Sequence, residues 1–283
     1  MDYVDLHVHS AASDGSLSPR ELVAEAKAQG LRAIALTDHD TIEGLVEALA
    51  AGVEMGLEVI PGVEISADHD PGSMHILGYF IDHRHPRLDE QLRKLKQARA
   101  ERNPQIIAKL QQLGLAITMA EVQKVSGGGQ VGRPHIAQVL VQKGYVANFQ
   151  EAFEKYIGNH GPAYVNKFRF APQDAIAMIT AAGGVASLAH PFTLEYSSLG
   201  HLKMILQQLR EWGLTAIEVY YPEHPPERQA QYKKLAQELG LLTTGGSDYH
   251  GVIKPEVKIG LVGPNQHVSY ELVEKLKERA GRS

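Results

Sequence analysis

The chain contains no cysteine. That excludes a disulfide framework and every thiolate metal site, and it fits a reducing compartment. No stretch is long and apolar enough to span a bilayer, and the N-terminus lacks the basic-then-apolar pattern of a signal peptide, so a cytoplasmic location is expected. An excess of positive charge is also missing: 28 Lys and Arg stand against 33 Asp and Glu, a net charge of −5. Proteins that bind long nucleic acids through phosphates usually carry a basic face, so the average argues against such a partner while leaving a local patch open. There is no fixed-period repeat and no low-complexity segment. What remains is 283 residues, 43% hydrophobic and 22% charged, an ordinary globular composition. That size suits one large α/β domain or a barrel with an insertion. One residue type stands out, with 14 histidines.

The first part of the chain alternates strand and helix. Strand-like runs fall at 3–6, 32–36, 58–63 and 75–79, with helical patterns at 19–29 and 41–55 between them. Ser18 before Pro19 reads as an N-cap followed by proline at the first helical position, and Gly30 and Gly56 read as helix stops. From about Pro86 to Ile157 the pattern becomes wholly helical, with helices expected at 87–113, 119–125, 134–142 and 149–156. Alternation then resumes: helix 172–182, strand 185–188, helix 199–212, strand 216–220, helix 227–239, strand 241–244, a last strand at 257–262 and a helix at 269–278. About seven strand–helix units suggest a parallel barrel or a distorted relative, residues 1–85 and 165–283, interrupted by a helical insert at 86–164.

In such barrels the active site lies at the C-terminal ends of the strands. Five strands end in metal-ligating types: His7-Val8-His9, Asp38-His39-Asp40, Glu64, His190, and Asp248-Tyr249-His250. In an extended segment, residues two apart project to the same side, so His7 with His9, and Asp248 with His250, can each reach one ion. His75 breaks the rule, because it sits at the start of its strand. Six imidazoles and three carboxylates, counting Asp14, contain no sulfur and suit Mn, Fe, Zn or Co better than Mg or Ca. Nine ligands exceed one ion's needs, so two or three divalent ions with a bridging carboxylate are expected.

The stretches "DLHVHSAASDG", "LTDHDT", "PGVEIS", "HILGY", "AHP" and "GSDYHG" resemble the motifs of the PHP (polymerase and histidinol phosphatase) family over residues 1–262, and "VGRPHIAQVL" narrows the likeness to its small phosphoesterases. The resemblance implies a distorted (β/α)7 barrel of TIM-like type with a helical insert, and three ions, most often Mn²⁺, with Fe²⁺ or Zn²⁺ as alternatives. It places His7, His9, Glu64 and Asp248 on one ion. Glu64 bridges to a second ion with His75 and His190, and Asp14, His39 and His250 hold the third. His69, in an acidic loop before His75, is expected to be a solvated loop residue.

The activity implied is hydrolysis of phosphate esters on small nucleotides, 3′,5′-bisphosphates and the 5′ ends of short RNA, by a metal-activated water, with Glu64 and Asp248 in catalytic positions. The alternatives are a phosphatase for a non-nucleotide monoester such as histidinol phosphate, or a non-catalytic metal-binding module. Arg133 and His135 read alone could cap a helix and sit in its first turn; the resemblance places both over the substrate phosphate, where an Arg fork suits bidentate contact. Lys167 is a candidate for a second phosphate clamp and Arg169 a weaker candidate. Arg93, Lys94, Lys96, Arg99, Arg102 and Lys109 on the long helix could track an oligonucleotide or form a solvated face. Phe192, Tyr220 and Tyr221 could stack on a base or pack the rim, while Glu218, inside its strand, reads as structural. No membrane contact and no stable protein partner are expected.

Overall fold

The computed structural model describes residues 2–282. Its centre is an eight-stranded sheet in the order β7-β6-β5-β4-β3-β2-β1-β8. The strands are β1 (Tyr3–Val8), β2 (Ala33–Leu36), β3 (Glu58–Ala67), β4 (Met74–Tyr79), β5 (Val185–Leu188), β6 (Ala216–Tyr220), β7 (Leu242–Gly245) and β8 (Val268–Ser269). Ten α-helices connect and cover them: α1 (Pro19–Ala28), α2 (Leu45–Met55), α3 (Pro86–Gln112), α4 (Met119–Val125), α5 (Arg133–Gln142), α6 (Phe149–Ala152), α7 (Pro172–Ala181), α8 (Leu199–Glu211), α9 (Pro226–Leu239) and α10 (Glu271–Arg279). The sheet curls until the residues after β7 meet β1. There His9 N–H donates to Tyr249 O at 2.9 Å and Asp248 N–H to His7 O at 2.8 Å, and Val8 bridges Tyr249 in parallel. The result is a nearly closed, barrel-shaped α/β fold.

The strands are short apolar runs buried on both faces, as strands between helices must be. The residues of β2, Ala33 to Leu36, are all 0% exposed. Helix starts follow the local chemistry. Ser18 caps α1 and forms a reciprocal pair with Glu21, with Pro19 at the first position, and Thr118 and Glu121 do the same for α4.

The expected parallel order fails inside the sheet at β4 and at its edge at β8. β4 runs antiparallel to both β3 and β5, with Glu64 opposite Leu77 and Ser66 opposite His75. This reversal resolves the exception of His75: the start of an antiparallel strand lies at the same rim as the ends of its neighbours. The pairing also extends β3 to Ala67, four residues past the expected end, so Glu64 stands inside a strand rather than at its tip.

The expected strand at 257–262 does not form. Gly260 has φ +80, a left-handed conformation that breaks regular strand pairing, and Pro255, Gly263 and Pro264 flank the run. Its apolar residues Ile259 and Val262 are buried from a loop, and the closing strand is instead β8, antiparallel to β1. The helix expected at 149–156 is only the one turn of α6, followed by a π-turn over Phe153–Ile157.

Helices α4 to α6 and the C-terminal half of α3 enclose their own apolar cluster, from Ile106 to Ala163. The N-terminal half of α3 contributes Leu88, Leu92 and Leu95 to the barrel's cluster instead, so one helix belongs to both cores. The helical segment is also fastened to the rim. Gln130 N–H donates to Ala12 O, its Nε2 to His39 O, and a Cβ on Gly129 would lie 1.9 Å from Ala11 O, a closeness only glycine permits.

Asp5 secures the closure from inside β1. One carboxylate accepts Ser247 N–H, Ser247 Oγ–H and Gly260 N–H, and its residue is 0% exposed. Asp5→Ala leaves those donors buried without partners, and unfolding by denaturant should show a loss of at least about 2 kcal/mol.

Candidate metal centre

The nine expected ligand residues converge at one end of the barrel. Glu64 is 0% exposed and lies at their centre. Its Oε2 is 3.2 Å from His7 Nε2, 3.2 Å from His9 Nε2 and 3.0 Å from His39 Nδ1. Its Oε1 faces the other way, 2.8 Å from His75 Nδ1 and 3.0 Å from His190 Nε2. Asp248 Oδ1 is 3.1 Å from His9 Nε2 and 3.4 Å from His7 Nε2. Asp14 closes the far side, Oδ1 at 3.4 Å from His250 Nε2 and Oδ2 at 3.9 Å from His39 Nε2.

Three groups of donor atoms lie within 4.8 Å of one another: His7, His9, Glu64 and Asp248; His9, Asp14, His39 and His250; His39, Glu64 and His75. The first is the set expected for one ion. The second adds His9 to the expected Asp14, His39 and His250. The third contains Glu64 and His75 with His39, while His190 stands beside Glu64 without entering a group. His39 faces both ways, Nδ1 toward Glu64 and Nε2 toward Asp14.

A bound cation suits these residues for a reason visible in their hydrogen bonds. His9 Nδ1, His9 Nε2, Asp14 Oδ1 and His39 Nδ1 are buried and make no hydrogen bond. Buried polar atoms are nearly always satisfied. Here the close contacts of His9 Nε2 are misaligned for hydrogen bonds. Converging lone pairs of nitrogen and oxygen are what a borderline divalent ion coordinates. The charge balance agrees. Burial alone would raise Glu64, Asp14 and Asp248, yet the surrounding histidines, and Lys254 at Asp248, hold all three well below the usual carboxylate range. Burial alone would lower His9, but Asp248 and Glu64 raise it to about 9, whereas burial presses His75 and His250 to about 4. Ionised carboxylates ringed by imidazoles offer donors to a divalent cation, whose binding would release the protons that His7 and His9 hold without it.

Outer partners fix these residues. Glu218 Oε1 is 3.0 Å from His7 Nδ1, and its Oε2 accepts His190 N–H at 2.7 Å. That turns Nε2 of His7 toward the cluster. Asp38 accepts Ser10 N–H and the hydroxyls of Ser10 and Ser13, tying down the loop that carries His9 and Asp14. Asp248 Oδ2 accepts Tyr221 O–H at 2.9 Å and Lys254 Nζ at 2.5 Å. His190, Asp248 and Asp40 all have positive φ, strain of the kind that collects at functional sites.

A cavity of about 530 Å³ opens over this rim, lined by six of the nine residues and by Arg99, Arg102, Arg133, Lys167, Arg169 and Lys254 among others. A larger cleft of about 1120 Å³ adjoins it between α6 and the 253–264 loop, but carries only His250 of the nine. Arg133 points into the smaller cavity from the first turn of α5 and donates to Ile157 O and Asn159 Oδ1. Burial lowers it to about 10. His135 is 2% exposed and does not line the cavity; its Nδ1 accepts Gly132 N–H at the start of α5. Lys167 is buried beside Asp40 at 3.3 Å, lowered to about 7 by burial against the pull of Asp40. Phe192 and Tyr221 line the cavity, whereas Tyr220 packs under Lys233. His69 contacts Leu194 O and no member of the cluster.

The basic face of α3 divides. Arg93, Lys94 and Lys96 pair with surface carboxylates and Lys109 with Tyr164 O, while Arg99 and Arg102, one turn apart, turn into the cavity. Spacing carried no signal that separates them, since Arg93, Lys96, Arg99 and Arg102 all stand three apart. The roles of Glu218, Tyr221 O–H and Lys254 left no sequence signal, since each depends on a contact made by folding.

A family model described as "PHP domain" matches residues 5–242. The chain belongs to the PHP family. A 5′-3′ exoribonuclease of Haemophilus influenzae is 38% identical over 247 residues, 87% of this chain and 89% of that one. A 3′,5′-nucleoside bisphosphate phosphatase of Chromobacterium violaceum is 34% identical over 251 residues, 88% of each chain. A crystal structure from Bifidobacterium adolescentis, described as a metal-dependent phosphoesterase, superposes with a TM-score of 0.87 at 31% identity, covering 98% of this chain and 96% of the other. This PHP protein is thus an α/β phosphoric ester hydrolase whose clustered His, Asp and Glu groups fit divalent metal ions. Among the described residues no helix is long and apolar enough to cross a membrane.

Glu218→Gln weakens the acceptor behind His7 without changing its size. Divalent-metal affinity, read by competition with a chromogenic chelator, should fall about 10–100-fold while circular dichroism stays unchanged.

Proposed function

We propose that this PHP-family protein hydrolyses phosphate esters of small nucleotides, 3′,5′-nucleoside bisphosphates and the 5′ ends of short RNA, in the cytoplasm. The observation that carries the reading is the split carboxylate of Glu64, whose two oxygens face two different histidine sets. His7, His9, Glu64 and Asp248 would hold one ion, Glu64, His75 and His190 a second, and Asp14, His39 and His250 a third, with Mn²⁺ the favoured metal. Such ions, when bound, lower the pKa of water toward neutrality and offset charge on phosphoryl oxygens.

The chain's own side chains supply the rest. Arg133 and Lys167 reach the cavity with donors for the phosphate, and a guanidinium fork matches two phosphoryl oxygens at once. His135 supports Arg133 from behind by capping the first turn of α5. Both Oδ2 contacts of Asp248 are already taken by Tyr221 and Lys254, so Asp248 serves as a ligand and not as a proton acceptor. Phe192 lines the cavity and is the ring placed to stack on a base, whereas Tyr221 is buried and packs against His190 and His224. The relatives named for a bisphosphate phosphatase and an exoribonuclease support a substrate in the nucleotide class.

The test is phosphate release, with added Mn²⁺, from adenosine 3′,5′-bisphosphate, 5′-phosphorylated dinucleotides and histidinol phosphate. Turnover confined to histidinol phosphate overturns the nucleotide reading, and turnover of none of them leaves a metal-binding module. His9→Ala or Asp248→Ala should bring turnover below detection with the fold retained by circular dichroism; wild-type rates in either would refute the assigned centre. Arg133→Ala removes a charge-assisted contact and should raise KM about 10-fold or more, a change that steady-state kinetics would register directly.

A further inference from the structure

The helical segment sends one polar side chain to the rim that the assigned chemistry leaves without a task. Gln130 ties together the two rim loops that carry Asp14 and His39. Its backbone N–H donates to Ala12 O at 3.2 Å, and its Nε2 donates to His39 O at 2.8 Å. The second bond fixes which end of the amide is which, since only the nitrogen can donate to a carbonyl. Oε1 is then left over. It is buried without a hydrogen-bond partner, on a residue only 6% exposed.

Among the described residues, seven buried side-chain atoms lack a partner. Four of them belong to His9, Asp14 and His39, which with His250 form one of the three donor groups. Gln130 Oε1 is a fifth, on an amide bonded to the backbone of that same His39. Orphaned buried acceptors call for an explanation, and one hydrated cation explains these five together. Imidazole and carboxylate lone pairs bind such an ion directly, and its water carries the O–H donors that an amide oxygen needs.

The backbone delivers this amide in a fixed position. Gly129 abuts Ala11 O on one side of Gln130. On the other side Val131 O accepts Asn103 Nδ2 from α3 at 2.8 Å, and a Cβ on Gly132 would lie 3.3 Å from Asp14 Oδ2. Asp38 also ties the two rim loops, through Ser10 and Ser13, but both its oxygens are occupied. Gln130 is the tie that keeps an acceptor free.

We propose that Gln130 is a positioning residue for the cation of the group His9, Asp14, His39 and His250. Its Nε2 holds His39 against the Asp14 loop, and its Oε1 accepts from the water around that cation. This rests on the metal-centre reading. It makes loading of one ion depend on the docked helical segment, which contributes no residue to any of the three donor groups.

The test counts bound metal. Chelator-treated protein is dialysed against graded free Mn²⁺ and assayed for Mn²⁺ per chain. In Gln130→Ala one equivalent should weaken about 10–100-fold while the others keep wild-type affinity. Gln130→Met fills the same space without polar atoms and should show the same loss, which guards against a folding failure in the alanine variant. Gln130→Glu restores an acceptor oxygen and should recover part of the affinity. His250→Ala removes a donor from the same group, so combining it with Gln130→Ala should cost nothing beyond His250→Ala alone. Glu218→Gln acts on the group of His7, so its loss should add to that of Gln130→Ala. Wild-type affinity at every equivalent in Gln130→Met, an equal loss at all of them, or a further loss in the combined His250 variant overturns this role and leaves the metal centre standing. Wild-type protein that takes up no Mn²⁺ refutes the metal centre, and this role with it.

Discussion

The structure depends on a concentration of charge that no apolar barrel would tolerate unassisted. A fully buried carboxylate, Glu64, lies within about hydrogen-bond distance of five imidazoles at once. A lone carboxylate at that depth would be driven to protonate. Surrounded by histidines it stays ionised, and the histidines are held in place by further buried acids. Glu218 secures His7 and His190, and Asp38 the loop of His9 and Asp14, while Asp5 ties β1 to the residues just before Asp248. The barrel's polar interior is a support for its rim, and the orphaned atoms of His9, Asp14 and His39 mark where that support stops and a cation is called for.

The reversed strand is part of the same solution. A uniformly parallel barrel would carry His75 to the opposite end of β4. Turning β4 antiparallel brings His75 and Glu64 to one level, at the cost of a longer β3 and a loop after it. The helical segment completes the site from above. It carries Arg133 and shares α3 with the barrel, and Gln130 pins its glycine loop to the backbone of His39. The histidine and carboxylate rim and the basic residues of the cavity are therefore held by one connected framework.

The opposite charges on the two walls describe a division of labour. The rim of histidines and carboxylates presents lone pairs, which suit cations, and the arginines of the cavity present N–H donors, which suit anions. A net charge of −5 for the whole chain conceals this arrangement, because the basic residues that line the cavity are few and buried or half-buried. Arg93, Lys94 and Lys96, more conspicuous in the sequence, are spent on surface pairs of small energetic weight.

Local sequence alone marked most of the candidate cluster. Histidine and carboxylate types stood at five strand ends, His7 with His9 and Asp248 with His250 two apart, and that spacing is a property of the extended chain that survives any detail of packing; Asp14 and His75 stood outside the pattern. It likewise determined the strand–helix alternation and the helical interruption after Pro86, since both are written in periodicity and capping residues. Only the tertiary structure decided the direction of β4, because strand orientation depends on pairing with partners distant in the chain. It alone decided that the run at 257–262 is a loop, since Gly260 must bend to reach Asp5. It also separated Arg99 and Arg102 from their basic neighbours on α3, and gave Glu218 its hold on His7 across 211 positions. Contacts of that separation have no local signature: they exist only once the chain has closed on itself.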